Sequence, residues 1–157
     1  MARGPSGQRT SVPPGPAAAT VGRVSAPVER LRALCLALPA VTERISHGEP
    51  TWFVQPGRTG KVFVSLADHH HDDRLGFWCA APPGVQEELV AAEPGRFFRP
   101  PYVGGRGWLG VWLDVGAGPD GLDWAEIAEI VTDAYLVVAP RRLADEVRAR
   151  TGGTGGG

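Results

Sequence analysis

Apolar residues recur along this chain in two rhythms, and the switches between them predict its elements. Val28, Leu31, Leu34, Cys35 and Leu38 fall three and four apart, one stripe of a helix over roughly 27 to 38, with Pro27 suited to its first turn and Pro39 opposing continuation. Four short runs of β character come next: Thr51 to Val54, Lys61 to Leu66, Arg74 to Ala80, and Gly107 to Asp114. QPGRTG joins the first two and DHHHDD the second and third, lengths that suit hairpins, so an antiparallel meander is expected. PPGVQEELVAAEPG predicts a short helix opened by proline and closed by Pro94-Gly95. Asp123, with Glu126 three residues later, resembles a capping box, and Trp124, Ile127, Val131, Ala134 and Val138 then mark an apolar helical stripe. Pro140 should end or kink that helix, with RRLADEVRAR continuing as a short terminal one. The order of elements implies an α+β two-layer sandwich.

Strand alternation assigns side chains to faces. Val62, Val64 and Leu66 oppose Phe63 and Ser65; Leu75, Phe77 and Cys79 oppose Gly76 and Trp78; Leu109, Val111 and Leu113 oppose Trp108, Gly110 and Trp112. If the aliphatic faces meet the helices, the other side of the sheet carries Phe63, Trp78, Trp108 and Trp112. Such a face is either a stacking or binding platform, or a second small core covered by a loop or a partner subunit.

Composition bounds the domain. At 157 residues and 43% hydrophobic content, one core is expected. Residues 1–25 are rich in Gly, Pro, Ser and Ala and read as a disordered tail, and the closing TGGTGGG as a flexible one, leaving a single domain over 26–150. Three of the 16 cationic residues (Arg3, Arg9, Arg23) lie in the first 25 while all 17 acids lie beyond them, so 26–150 sets 13 against 17, near −4. That balance opposes a histone-like binder of nucleic acid. No run approaches the length of a membrane span and no signal-type apolar segment opens the chain, so a soluble cytoplasmic protein is expected. Cys35 and Cys79 sit in apolar segments and read as buried thiols.

Few motifs carry chemistry. GRGWLG at Gly105–Gly110 has the letters of a dinucleotide fingerprint, but the next residues, VWLDV, read as a strand and not as the helix that would meet a phosphate, so the glycines read as a turn. The tract Asp68-His69-His70-His71-Asp72-Asp73 holds ligand types for zinc, nickel or copper, yet no second cluster completes a site, and a solvated loop is expected with no bound metal. His47-Gly48-Glu49 juxtaposes an imidazole and a carboxylate without a nucleophile elbow anywhere in the chain, so no enzyme is expected. Arg96, Arg99 and Arg106 interleave with the aromatics of FFRPPYVGGRGW, and Arg141 and Arg142 come directly after Pro140. Arginine among aromatic rings contacts phosphate and stacks on bases; the competing reading pairs these arginines with Asp120, Asp123, Glu126, Glu129 and Asp133.

Three stretches, LRALCLALPAVTERISHGEPTWFV, APPGVQEELVAAEPGRFFRPPYVGGRGWLGVWLD and LDWAEIAEIVTDAYLVVAPRRL, together resemble the MmcQ/YjbR family of small bacterial proteins over about residues 28 to 143. The resemblance rests on order and combination: Leu38-Pro39 ending the first helix, Gly48-Glu49-Pro50 before the first strand, Pro101-Tyr102 with Gly107-Trp108, and Ala134-Tyr135 through Ala139-Pro140-Arg141. It implies a CyaY-like α+β fold, an antiparallel sheet with helices packed on one face, and DNA binding without catalytic residues or a cofactor. Many relatives have a lysine where this chain has Ala80, and the histidine tract is not a family hallmark. DNA binding on this basis would be weak and salt-sensitive, with phosphate contacts from Lys61, Arg99, Arg106, Arg141 and Arg142 and with Trp108 and Trp112 stacking on unpaired bases. The alternative is a small-molecule or protein-interaction module that uses the aromatic sheet face.

Overall fold

The structure, a computed structural model, describes residues 26–55, 60–68, 74–115 and 122–156. The first apolar stripe forms a helix over 26–36 (α1) that buries Leu31 and Cys35. It leads into a strand that hydrophobic alternation does not mark, β1 (Val41–Ser46), which pairs with β2 (Glu49–Val54) through a two-residue turn. That turn, His47-Gly48, takes φ of 54° and 83°, the doubly positive geometry that matches the twist of a tight hairpin. β1 escapes the pattern because it is an edge strand whose middle inward position, between Val41 and the exposed Ile45, is the charged Glu43.

β3 (Lys61–Asp68) and β4 (Leu75–Cys79) extend the meander; α2 (Val85–Ala92), the two-residue β5 (Phe97–Phe98), a 3₁₀ turn at Gly104–Arg106 and β6 (Leu109–Trp112) come after them. The sheet has six strands in the order β1-β2-β3-β4-β6-β5, every pairing antiparallel. α3 (Trp124–Val138) opens as the capping box predicts, with the Asp123 carboxylate accepting from the Glu126 amide at 3.1 Å. Ala139 closes it before Pro140, and α4 (Arg141–Gly156) runs past the expected RRLADEVRAR. Its backbone is helical over 151–156. The expected tail 1–25 and the tract His69–His71 lie outside the described residues.

Helices cover one face of the sheet. Trp52, Val64, Phe77, Cys79, Leu109 and Val111 point toward them and meet Leu31, Ile127, Val131 and Tyr135. Tyr135 packs edge-on against Phe63, centroids 5.6 Å apart, and its hydroxyl donates to the Pro39 carbonyl at 2.6 Å. Phe63 is thus on the helix side, a correction to strict alternation. Trp52 pairs with Val64 and Phe53 with Val62, which leaves Phe63 as the extra residue of a β-bulge, turns it inward and delivers Val62 to the opposite face. Both cysteines are buried, and burial pushes both thiols up. Among the described residues no helix is long and apolar enough to cross a membrane.

Candidate functional site

The face turned away from the helices is divided in two by glycine. Trp112 stands opposite Gly76, and Gly110 stands opposite both Trp78 and Phe98. With no Cβ at either glycine, Phe98 lies down over the strands and stacks on Trp112 at 4.1 Å and 25°. The Arg74 guanidinium sits 3.7 Å from the Trp112 ring centroid, and two groups that close to one ring must occupy opposite faces of it. Asp114 fixes this outer layer, accepting from Arg74 at 2.8 Å and from the Leu75 amide at 3.1 Å. Burial opposes ionisation of Asp114, but the Arg74 and Leu75 bonds hold its carboxyl below the usual carboxylate range.

The other half of the face stays open as a pocket of about 700 Å³. β2 and β3 supply its floor through Thr51, Phe53, Val62, Ser65 and Ala67, and β4 adds Trp78. Ser46 and His47 of the β1–β2 hairpin form one wall; Tyr102, Val103, Arg106 and Trp108 form the other. This second wall is a loop that builds no ladder of its own, so something must hold it. Gln86, 3% exposed on α2, does so by donating its side-chain amide to the carbonyls of Gly104 and Trp108. Gly104 lets Arg99 lie across the loop, since a Cβ there would stand 2.6 Å from the Arg99 Cγ. Tyr102, at φ 66° and 83% exposed, projects from the same loop. The floor's hydroxyls are partly spoken for: Thr51 donates to the Glu49 carbonyl at 3.1 Å and lies 3.4 Å from Ser65.

The sequence-predicted residues separate. Arg99, Arg106 and Trp108 come together on the pocket loop, with the Arg106 guanidinium 5.8 Å over the Trp108 ring. Trp108 is 7% exposed, so it forms pocket wall and not a free ring, and Trp112 has both faces covered. Neither indole presents the open face that stacking on an unpaired base requires. Lys61 is exposed at the start of β3 opposite Val54. Arg141 and Arg142 are exposed at the start of α4, in the helix layer on the other side of the sheet from the pocket. Arg96 does pair with the acidic helix through Glu126, and also with Glu93 at the end of α2, whereas among the described residues no carboxylate partners Arg99 or Arg106. GRGWLG makes the 3₁₀ turn and then a strand, with Gly107 at φ 88°, as its turn reading expects. Among the described residues no three His, Cys, Asp or Glu side chains form a metal cluster. Nothing in the sequence pattern singles out Arg44 or Arg74, and Gln86 carries only a faint signal as an amide in a mostly apolar short helix.

The profile of the YjbR family matches residues 36–137. No curated protein matches the chain. Among solved structures, the Deinococcus radiodurans protein DR2400, which carries the domain DUF419, superposes with a TM-score of 0.61 at 20% identity, covering 80% of this chain and 87% of that one. At that identity the likeness concerns the fold, and it agrees with the six-stranded sheet and its layer of helices. The profile spans the strands, the pocket loop and α3 in a single stretch, and on that match the chain belongs to the YjbR family.

Proposed function

We propose that this protein is a non-enzymatic binding protein that holds a small, largely apolar organic molecule against the open half of its sheet. The observation that carries this reading is the pocket itself: about 700 Å³, with Phe53, Val62, Trp78, Val103 and Trp108 around a few hydroxyls. That size and mixture match small-molecule sites, which run roughly 300–1,000 Å³ and place a few polar groups among apolar walls. Neither cysteine offers a nucleophile, since both are in the core with thiols driven toward the protonated form. The test is titration with the neutral dye N-phenyl-1-naphthylamine, read by its emission. Saturable one-to-one binding is expected, weakened at least about tenfold in Ala67→Trp, whose indole would fill the floor. No saturable binding, or binding indifferent to Ala67→Trp in a variant that melts like the parent, overturns it.

DNA binding is a second reading, favoured by one feature: Arg99 and Arg106 are exposed on one loop, and among the described residues no carboxylate partners either. The acidic balance of residues 26–150 makes such binding weak and steeply salt-dependent. Fluorescence anisotropy with labelled single- and double-stranded DNA at low salt should then show a loss with Arg99→Ala plus Arg106→Ala. The same loss with Arg141→Ala plus Arg142→Ala, or no binding at all at tens of micromolar protein, counts against this loop.

A further inference from the structure

The pocket has a chemical polarity that its volume does not convey. Across the sheet, register places Arg44 opposite Thr51, Thr51 opposite Ser65, and Ser65 opposite Trp78. One row thus runs from a guanidinium through two hydroxyls to an indole, all on the side away from the helices. Thr51, Ser65 and Trp78 line the pocket; Arg44, beside Thr51 on the edge strand, is not a lining residue itself, but its guanidinium lies 3.9 Å over the ring of Phe53, which is. On the facing wall Arg106 lies over Trp108. A guanidinium stacked on a ring keeps its in-plane N–H groups directed outward, where they can donate to an anion.

These two arginines differ from others in the fold. Arg32 is tied to Glu29 and Glu43, Arg74 to Asp114, and Arg96 to Glu93 and Glu126. Among the described residues Arg44 and Arg106 have aromatic partners and no carboxylate within ion-pairing distance. Among the described residues Glu49 is the one carboxylate that lines the pocket, set against these two guanidinium groups.

We infer that the pocket selects an aromatic organic monoanion, whose ring body lies on Trp78 between Phe53 and Trp108 and whose charged head is held by Arg44 and Arg106. This rests on the pocket being a small-molecule site, and the test separates the two. Two dyes share nearly the same rings: 8-anilinonaphthalene-1-sulfonate carries one negative charge, and N-phenyl-1-naphthylamine carries none. At low salt the anionic dye should bind at least about tenfold more tightly than the neutral one, the scale of one or two charge-assisted hydrogen bonds at a partly exposed site. Arg44→Gln and Arg106→Gln should each weaken the anionic dye about three- to tenfold, and together they should bring the ratio of anionic to neutral affinity down to about one. Both side chains are exposed, so the variants should melt like the parent. Equal affinity for the two dyes, or a preference that survives the double variant, overturns the inference while saturable neutral-dye binding leaves the pocket reading standing. Failure of both dyes to saturate sinks both.

Discussion

Gly110→Ala tests whether glycine divides the sheet face. Gly110 sits in β6 without the positive φ that would itself penalise alanine, so the backbone accepts the change. The obstacle is lateral: the new Cβ would stand no more than 2.5 Å from each of three carbons of the Phe98 ring. Ordinary carbon contacts begin near 3.5 Å, so the ring must withdraw by about 1 Å. It has little freedom to do so, being stacked at 4.1 Å on Trp112, whose far face is capped by an Arg74 bound to Asp114. Overpacking of this kind costs about 1–3 kcal/mol, and a disrupted aromatic pair adds about 0.5–1.5 kcal/mol. Replacing glycine in a strand returns about 0.5–1 kcal/mol, so the net should be a loss of about 1–3 kcal/mol. Urea denaturation of four proteins checks the cause: the parent, Gly110→Ala, Phe98→Ala and the double variant. With the ring gone, the added methyl at position 110 should cost nothing, so the two changes should be strongly non-additive. Neutral-dye binding should be untouched, because the stack and the pocket occupy different halves of the face. A Gly110→Ala protein as stable as the parent, or a penalty that persists without Phe98, would refute the reasoning.

Further experiments probe the framework that carries the pocket. Glu43 accepts from Arg32 at 2.8 and 3.0 Å and from the buried Trp52 indole at 3.0 Å, clipping α1 and β2 to the edge strand; Glu43→Ala should cost about 1.5–3 kcal/mol by urea denaturation. The Arg32 hydrogen bonds are the main cause that holds the Glu43 carboxyl below its usual range. A depressed folded value means that its stabilisation is whole above the unfolded value, about 4.3, and is lost as pH falls through the folded one. Stability should therefore drop more steeply with acid below about pH 4 in the parent than in Glu43→Gln, and parallel profiles would remove Glu43 from the account. Cys35 and Cys79 should remain unreactive toward Ellman's reagent in the native protein at pH 8 and react at once in denaturant; rapid native labelling would show that the core opens at α1 or β4.

Where local chemistry decides an element, the sequence shows it. Asp123 announces α3 because a carboxylate three residues before an amide caps a helix wherever the chain goes next. β4 and β6 are legible because their alternation is unbroken, and it correctly sets Trp78, Trp108 and Trp112 apart from Phe77, Leu109 and Val111. β1 fails this test because the middle of its inward positions is Glu43, whose partial burial is compensated by Arg32 from a different element. That partnership has no periodicity to read. Sequence proximity groups Arg99, Arg106 and Trp108 correctly since one short loop holds them, while Arg141 and Arg142 join them only through shared charge, which says nothing of layers.

The pocket is the least legible feature, for a specific physical reason. Alternation yields a uniform aromatic face with Phe63, Trp78, Trp108 and Trp112 in one array. One extra residue in β3 removes Phe63 from it and puts the smaller Val62 in the floor. Two glycines across β4 and β6 let Phe98 collapse onto Trp112 and fill one side. What remains empty is the difference between these two events, with Gln86 holding the loop that encloses it. If the face binds as proposed, its ligand can change through the bulge, the glycines or the loop without disturbing the helix side of the sheet. Its specificity must then reside in the few polar groups left at its edge, which is why Arg44 and Arg106 are the residues to vary first.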